Sequence, residues 1–130
     1  MNARSERGSV FVETALVALV VMTLFLGLAQ FALWFHAQHV VLGAAQDGAH
    51  EAALEGAAAD AGGNRARELM KAGLGSMAPE AGVSVRVTER LAIVTVEAAM
   101  PSIVPFLPTM KLRAEGRAFR ERFLADGERP

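Results

Sequence analysis

The chain has no cysteine, and lysine is nearly absent, with only Lys71 and Lys111 among 13 basic residues. Without thiols there is no disulfide to staple a small exported domain and no thiolate to act as nucleophile or metal ligand. Any folded part must therefore stand on its own packing or on neighbours in an assembly. Net charge is lacking too, since 14 acidic side chains against 13 basic ones leave −1, which supplies no broad positive field for nucleic acid. No Lys or Arg lies between Arg7 and Arg65, and no proline interrupts residues 36–61.

What fills the first gap is an apolar run at residues 14–35, broken only by Gln30 and ending before His36. Twenty-two helical residues reach roughly 33 Å, close to the roughly 30 Å hydrocarbon thickness of a bilayer. Arg4 and Arg7 precede the run, so the positive-inside bias places the N-terminus in the cytoplasm and the rest of the chain on the far side. A cleaved secretory signal is the competing reading. Its core should be only about 7–15 residues long, Glu13 abuts the run, and Ala29-Gln30-Phe31 is no small-x-small cleavage site.

Residues 36–61 are rich in Ala, Gln, Glu and Leu, so the helix is expected to continue to about residue 61, roughly 80 Å in all. Ala37, Val41, Ala45, Ala49, Ala53 and Ala57 recur at helical spacing, with Ala44, Gly48 and Ala52 beside them. They form a smooth seam where another helix can approach closely. Gly62-Gly63 is expected to end this helix and Asn64 to cap a second one, whose apolar face is Ala66, Leu69, Met70 and Leu74. Residues 76–82, with Pro79, read as a loop. The period then changes to two: Val83, Val85 and Val87 alternate with polar residues, Glu89-Arg90 reads as a turn, and residues 92–98 form a second strand. Pro101, Pro105 and Pro108 exclude regular pairing and leave an extended apolar loop. Met110, Leu112, Ala114, Gly116 and Ala118 then alternate with charges as a third strand.

The fold class expected is α+β: a long N-terminal transmembrane helix (residues 9–61, span 14–35) running into a small head (62–123) with one further helix and about three antiparallel strands. A leader (1–8) precedes it and a polar tail (124–130) follows.

Gly8 and Glu13 form the first candidate site. A carboxylate at the start of a bilayer-length helix is disfavoured unless paired. Cleavage after Gly8 would give Ser9 a new ammonium group, and that group on an adjacent subunit is a natural partner for Glu13. Equally, Glu13 can sit in the headgroup layer and favour the helix N-terminus through its dipole. On these residues alone the two readings stand level.

Gly8-Ser9-Val10-Phe11-Val12-Glu13 resembles the class III signal of type IV pilin-like proteins, in which a prepilin peptidase cuts after Gly and Glu is the fifth mature residue. With Gln30-Phe31 late in the span, the Ala44-Ala45-Gln46-Asp47-Gly48-Ala49 segment, and the Pro105-Phe106-Leu107-Pro108 loop before a charged alternating strand, the chain looks like the TadE-like family of minor pilins and pseudopilins of tight-adherence (Flp-type) pilus systems. The likeness covers roughly residues 7–121. Thr14 stands where related proteins often have a bulky aromatic residue, and Gln30 where they commonly have glutamate. The resemblance implies a structural, non-enzymatic subunit of the bacterial cytoplasmic membrane. It also implies a prepilin peptidase, other pilin or pseudopilin subunits, the pilus assembly platform and membrane lipid as partners, with no cofactor, no nucleic acid and no small-molecule substrate.

Partner contacts are expected at Gln30, at Ala45, Gly48, Ala49 and Ala52 on the seam, and at Val104, Pro105 and Phe106 in the apolar loop, which can alternatively close the head's own core. His36 and His39 share a helix face, but lack the His-Glu-x-x-His pattern; no metal site is expected. Ser76, Ser84 and Ser102 have no Gly-x-Ser-x-Gly context. Arg113, Arg117, Arg120 and Arg122 are diluted by Glu115 and Glu121 and read as a solvated strand face. The alternative to a pilus subunit is an unprocessed single-pass protein whose head binds an envelope partner; a membrane-tethered enzyme finds no assembled site.

Overall fold

The computed structural model describes residues 3–77 and 81–120, with side chains from Gly8 onward. Its elements are helix α1 (Ala3–Ala53), helix α2 (Ala61–Leu74) with a short 3-10 turn at Gly75–Met77, and strands β1 (Gly82–Val87), β2 (Leu91–Met100) and β3 (Met110–Phe119). The α+β architecture is as the sequence implied, a long apolar helix followed by one further helix and three strands. The tail at 124–130, the end of the head at 121–123 and the middle of the loop around Pro79 lie outside the described residues.

Helix α1 runs 51 residues without a break, about 77 Å at 1.5 Å per residue. It stops at Ala53 rather than near residue 61. The reason is Gly56, whose φ of +75° turns the chain in the left-handed region that glycine enters without steric cost. Gly62-Gly63 therefore does not end α1; both glycines lie buried in the first turn of α2. There the two helix backbones nearly touch. A Cβ on Gly62 would lie 2.5 Å from the Gly48 carbonyl oxygen and 2.6 Å from Ala52 Cβ, and one on Gly48 would lie 2.7 Å from the Gly62 carbonyl oxygen. Asn64 is likewise inside α2 rather than capping it: its backbone N–H donates to the Asp60 carbonyl at 2.9 Å and its side chain to Asp60 Oδ2 at 3.1 Å. At the other end Gly75, with φ +54°, closes the helix by donating its N–H to the Lys71 carbonyl.

The sheet order is β1-β2-β3, antiparallel throughout. Thr88 closes the first hairpin, its hydroxyl donating to the Leu91 carbonyl at 2.9 Å and accepting the Leu91 N–H at 3.1 Å. In β2, Ala92, Val94, Val96 and Ala98 face inward, and in β3 Leu112, Ala114, Gly116 and Ala118 do the same. Strand period two thus delivers one apolar face to α1. β1 is thinner cover, with Val83 and Val85 half-buried and Val87 exposed.

The core is unusual in its material. Eleven of the eighteen buried apolar residues are alanine, and each buried methyl contributes only about 0.8 kcal/mol. Small side chains compensate by letting backbones close in, which multiplies dispersion contacts. The tightest place is Gly116, where a Cβ would overlap the carbonyl group of Ala45 on α1. Gly116→Ala is expected to destabilise the head by about 1–3 kcal/mol through overpacking against backbone. Gly43→Ala, where an added Cβ meets nothing, should gain about 0.5–1 kcal/mol. Denaturant titration of the two variants in detergent micelles, followed by circular dichroism, measures the contrast.

Candidate functional site

The functional candidates lie along α1, which changes character at Gln30. Every residue from 8 to 29 is exposed, and Gln30 is the first buried one, 2 % accessible. The most apolar stretch is only 6 % buried, so this half of α1 is not packed inside the head. The segment exposed on every side is therefore 8–29; residues 30–35, about the last quarter of the expected span, already have the head against one side.

At its start, Gly8 has open space around it, and Ser9 and Glu13 stand exposed one turn apart. Among the described residues no ion pair involves Glu13. Thr14, next to it, donates its hydroxyl to the Val10 carbonyl at 2.8 Å, and Thr23 does the same to Leu19 at 2.8 Å. Both hydroxyls are thus satisfied within the helix, as an apolar surrounding requires.

At its far end, Gln30 ties the head to the helix. Its Oε1 accepts the Ile103 N–H at 2.8 Å, and its Nε2 donates to Met110 Sδ at 3.5 Å. A buried side-chain amide with both ends engaged fixes the depth at which the 101–109 loop meets α1. Further along, Gln38 Nε2 donates to the Arg113 carbonyl at 3.0 Å. With Gly116 over Ala45, these contacts order β3 along α1, Met110 beside Gln30 and Gly116 some two turns beyond Gln38. The loop is consequently the end of the head nearest the bare segment.

That loop contains a turn at 104–107, closed by the Leu107 N–H donating to the Val104 carbonyl at 3.3 Å. Ser102 braces it by donating to that carbonyl at 3.1 Å and accepting the Val104 N–H at 3.2 Å. Pro105 takes the second position. Phe106 takes the third with φ +73°, the place where a type II turn normally has glycine. Left-handed backbone costs a side-chain-bearing residue roughly 1–2 kcal/mol, and the ring gains no packing in return: Phe106 is fully exposed, with Ile103 and Leu107 about half exposed beside it. The loop does not close the core.

The small-residue seam does receive another helix, and it is α2 of the same chain. Ala45 and Ala49 are 0 % accessible, and Gly48 and Ala52 are buried. A partner subunit finds no free surface on these four residues, because the head has already taken it. Ala57, expected to extend the seam, lies in the turn beyond α1. His39 packs edge-on against Phe35, ring centroids 4.4 Å apart, and Phe35 stacks on Phe31 at 6.3 Å. On the outer sheet face Arg113 meets Glu97 at 3.2 Å and Arg117 meets Glu115 at 2.6 Å, exposed pairs worth about 0–1 kcal/mol. Two residues were missed by sequence reasoning, Met110 as partner of Gln30 and Gly116 as the point of closest approach. The Val104-Pro105-Phe106-Leu107 turn did carry a signal in its proline.

A bare apolar helix half with Gly8 and Glu13 at its head, continuous with a half that is the spine of a small α+β domain, defines a helix-anchored head; by length and composition α1 can cross a membrane once. Residues 8–50 match the model of the TadE family, described as TadE-like protein. The match begins at Gly8 and ends within α1, taking in the bare half, Gln30 and most of the seam. No curated protein and no solved structure matches the chain.

Gln30→Leu removes the acceptor of the Ile103 N–H and should cost about 1 kcal/mol, with faster amide exchange at Ile103 and Val104 than in the parent. Gln30→Glu retains an acceptor and should keep the Ile103 amide slow. Equal exchange in all three proteins would show that the tie does not hold the loop.

Proposed function

We propose that the chain is a TadE-like minor pilin or pseudopilin contributing structurally to a tight-adherence pilus, cut by a prepilin peptidase after Gly8. The observation that carries this reading is the position of Gly8 and Glu13 at the start of a helix segment that is exposed on all sides, membrane-long, and matched by the TadE-like family. A helix that is bare over residues 8–29 needs lipid, other helices, or both in turn to cover it. A pilus subunit meets both, lipid before assembly and neighbouring subunits after it.

In this reading residues 1–8 remain on the cytoplasmic side, the head lies outside, and the peptidase leaves an ammonium group on Ser9. Glu13 of one subunit pairs with the Ser9 ammonium of its neighbour. Removal from water makes each charge costly alone and favourable together, so the pair sets the register in which subunits join. The family's role is structural, and the chain's work is assembly rather than catalysis.

The peptidase should shorten the protein by residues 1–8 in cells that contain it and leave it full length in cells that lack it. Gly8→Ala should leave it full length in both. Glu13→Ala should insert normally yet lower recovery of the protein in pilus or platform fractions. Intact mass spectrometry and fractionation read these outcomes. A full-length parent protein in cells with active peptidase would instead favour an unprocessed single-pass anchor whose head binds an envelope partner.

A further inference from the structure

We propose that the turn at 103–107 is a lipid-contacting tip: Phe106, flanked by Ile103 and Leu107, enters the interfacial layer of the leaflet that faces the head. The proposal rests on residues 8–29 being the membrane-spanning segment.

Depth is the first support. Ile103 is hydrogen-bonded to Gln30, and Gln30 is where the bare helix ends. From Gly8 to Gln30 the helix rises about 33 Å, against a hydrocarbon core of roughly 30 Å. Shifting the bilayer toward the C-terminus would submerge the packed head, including the backbone of a loop with few internal hydrogen bonds. Shifting it the other way would pull Arg7 and Glu13 deeper at one end. The placement that does neither puts the 103–107 turn at the membrane surface.

Chemistry is the second. Residues 101–110 contain three prolines and no charge, and Ile103, Phe106 and Leu107 of the turn are exposed and apolar. Phe31, Trp34 and Phe35 follow Gln30 within the next turn or so on one face of α1, with Phe31 and Phe35 exposed, and aromatic residues are enriched at bilayer interfaces. Met77, half exposed at the end of the 3-10 turn, lines a small pocket with Leu33, His36, Leu74 and Met100. Phe119 and Val87 are also exposed but stand at the opposite end of the sheet.

Backbone strain is the third. Phe106 occupies a glycine position of its turn without any contact that would repay the strain within the chain. Strain maintained at an exposed residue points to a contact outside the chain, and an uncharged benzyl group beside a membrane-long helix fits lipid.

The test uses the full chain in phosphatidylcholine–phosphatidylglycerol vesicles, with Trp34→Phe as background so that a single indole reports. The indole introduced by Phe106→Trp should be blue-shifted, quenched more by lipids brominated near the headgroup than at mid-chain, and protected from iodide present on both sides. The indole introduced by Val20→Trp should be quenched most by the mid-chain bromines. Strong iodide quenching at position 106 with deep quenching at position 20 would overturn the tip while the spanning segment stands. Loss of deep quenching at position 20 would overturn both. Protection at position 106 from iodide and from both lipids would mean a protein cover and overturn the lipid assignment. Finally, Phe106→Gly should leave the head no less stable, because it relaxes the turn, yet abolish lipid quenching of the indole introduced by Leu107→Trp. Undiminished quenching there would overturn the role of the ring.

Discussion

The head is held on its helix by the absence of side chains. At Ala45 opposite Gly116, and at Gly48 opposite Gly62, backbone meets backbone, and a single added methyl at either glycine of β3 or α2 has nowhere to go. Because most of the core residues are alanine, few large side chains are there to span a wider gap. The domain therefore depends on α1 presenting a continuous small-residue surface between Ala37 and Ala53, against which both the sheet and α2 close. With no disulfide to fall back on, that close approach is the structure's main source of cohesion.

A consequence is that the two halves of one helix have different surroundings. Its second half is consumed by the head, so it cannot double as a surface for other subunits on that face; its first half is left wholly uncovered. Gln30 marks the division, with its amide spent on Ile103 and Met110 rather than left to lipid. The apolar surface that the fold leaves uncovered lies in the bare segment that begins at Gly8 and in the turn at 103–107. The charged outer face of the sheet, with its paired Arg and Glu, keeps the rest of the head soluble.

Much of this was legible in the chain. Strand alternation in β3 appears residue for residue in its burial, and the membrane-length apolar run announced itself through the gap between Arg7 and Arg65. Three things were not legible, each because tertiary contact overrode a local rule. Gly62-Gly63 reads as a helix terminator by propensity, but serves a helix crossing that only the folded α1–α2 pair reveals. The seam from Ala37 to Ala53 correctly signalled a close-packed neighbour, yet periodicity carries no information on whether that neighbour belongs to the same chain. Hydropathy gives an apolar run to Phe35, and it does not register that the head reaches down to Gln30 on one side of that run. For the candidate site, Gly8, Glu13 and the Pro-rich loop were visible as outliers in their surroundings; the left-handed backbone of Phe106 was not, because nothing but its proline neighbour hints at it.

The division of α1 at Gln30 can be measured directly, because the chain has no cysteine of its own and single cysteines can be introduced one at a time from Ser9 to Ala45. In vesicles, labelling by a membrane-impermeant maleimide should be blocked at every position through Ala29. Beyond Gln30 it should become periodic, blocked on the face toward β3 and α2 and open on the face of Leu42 and Gly43. Labelling with helical period throughout the first segment, or a block on all faces continuing to Phe35, would contradict the account.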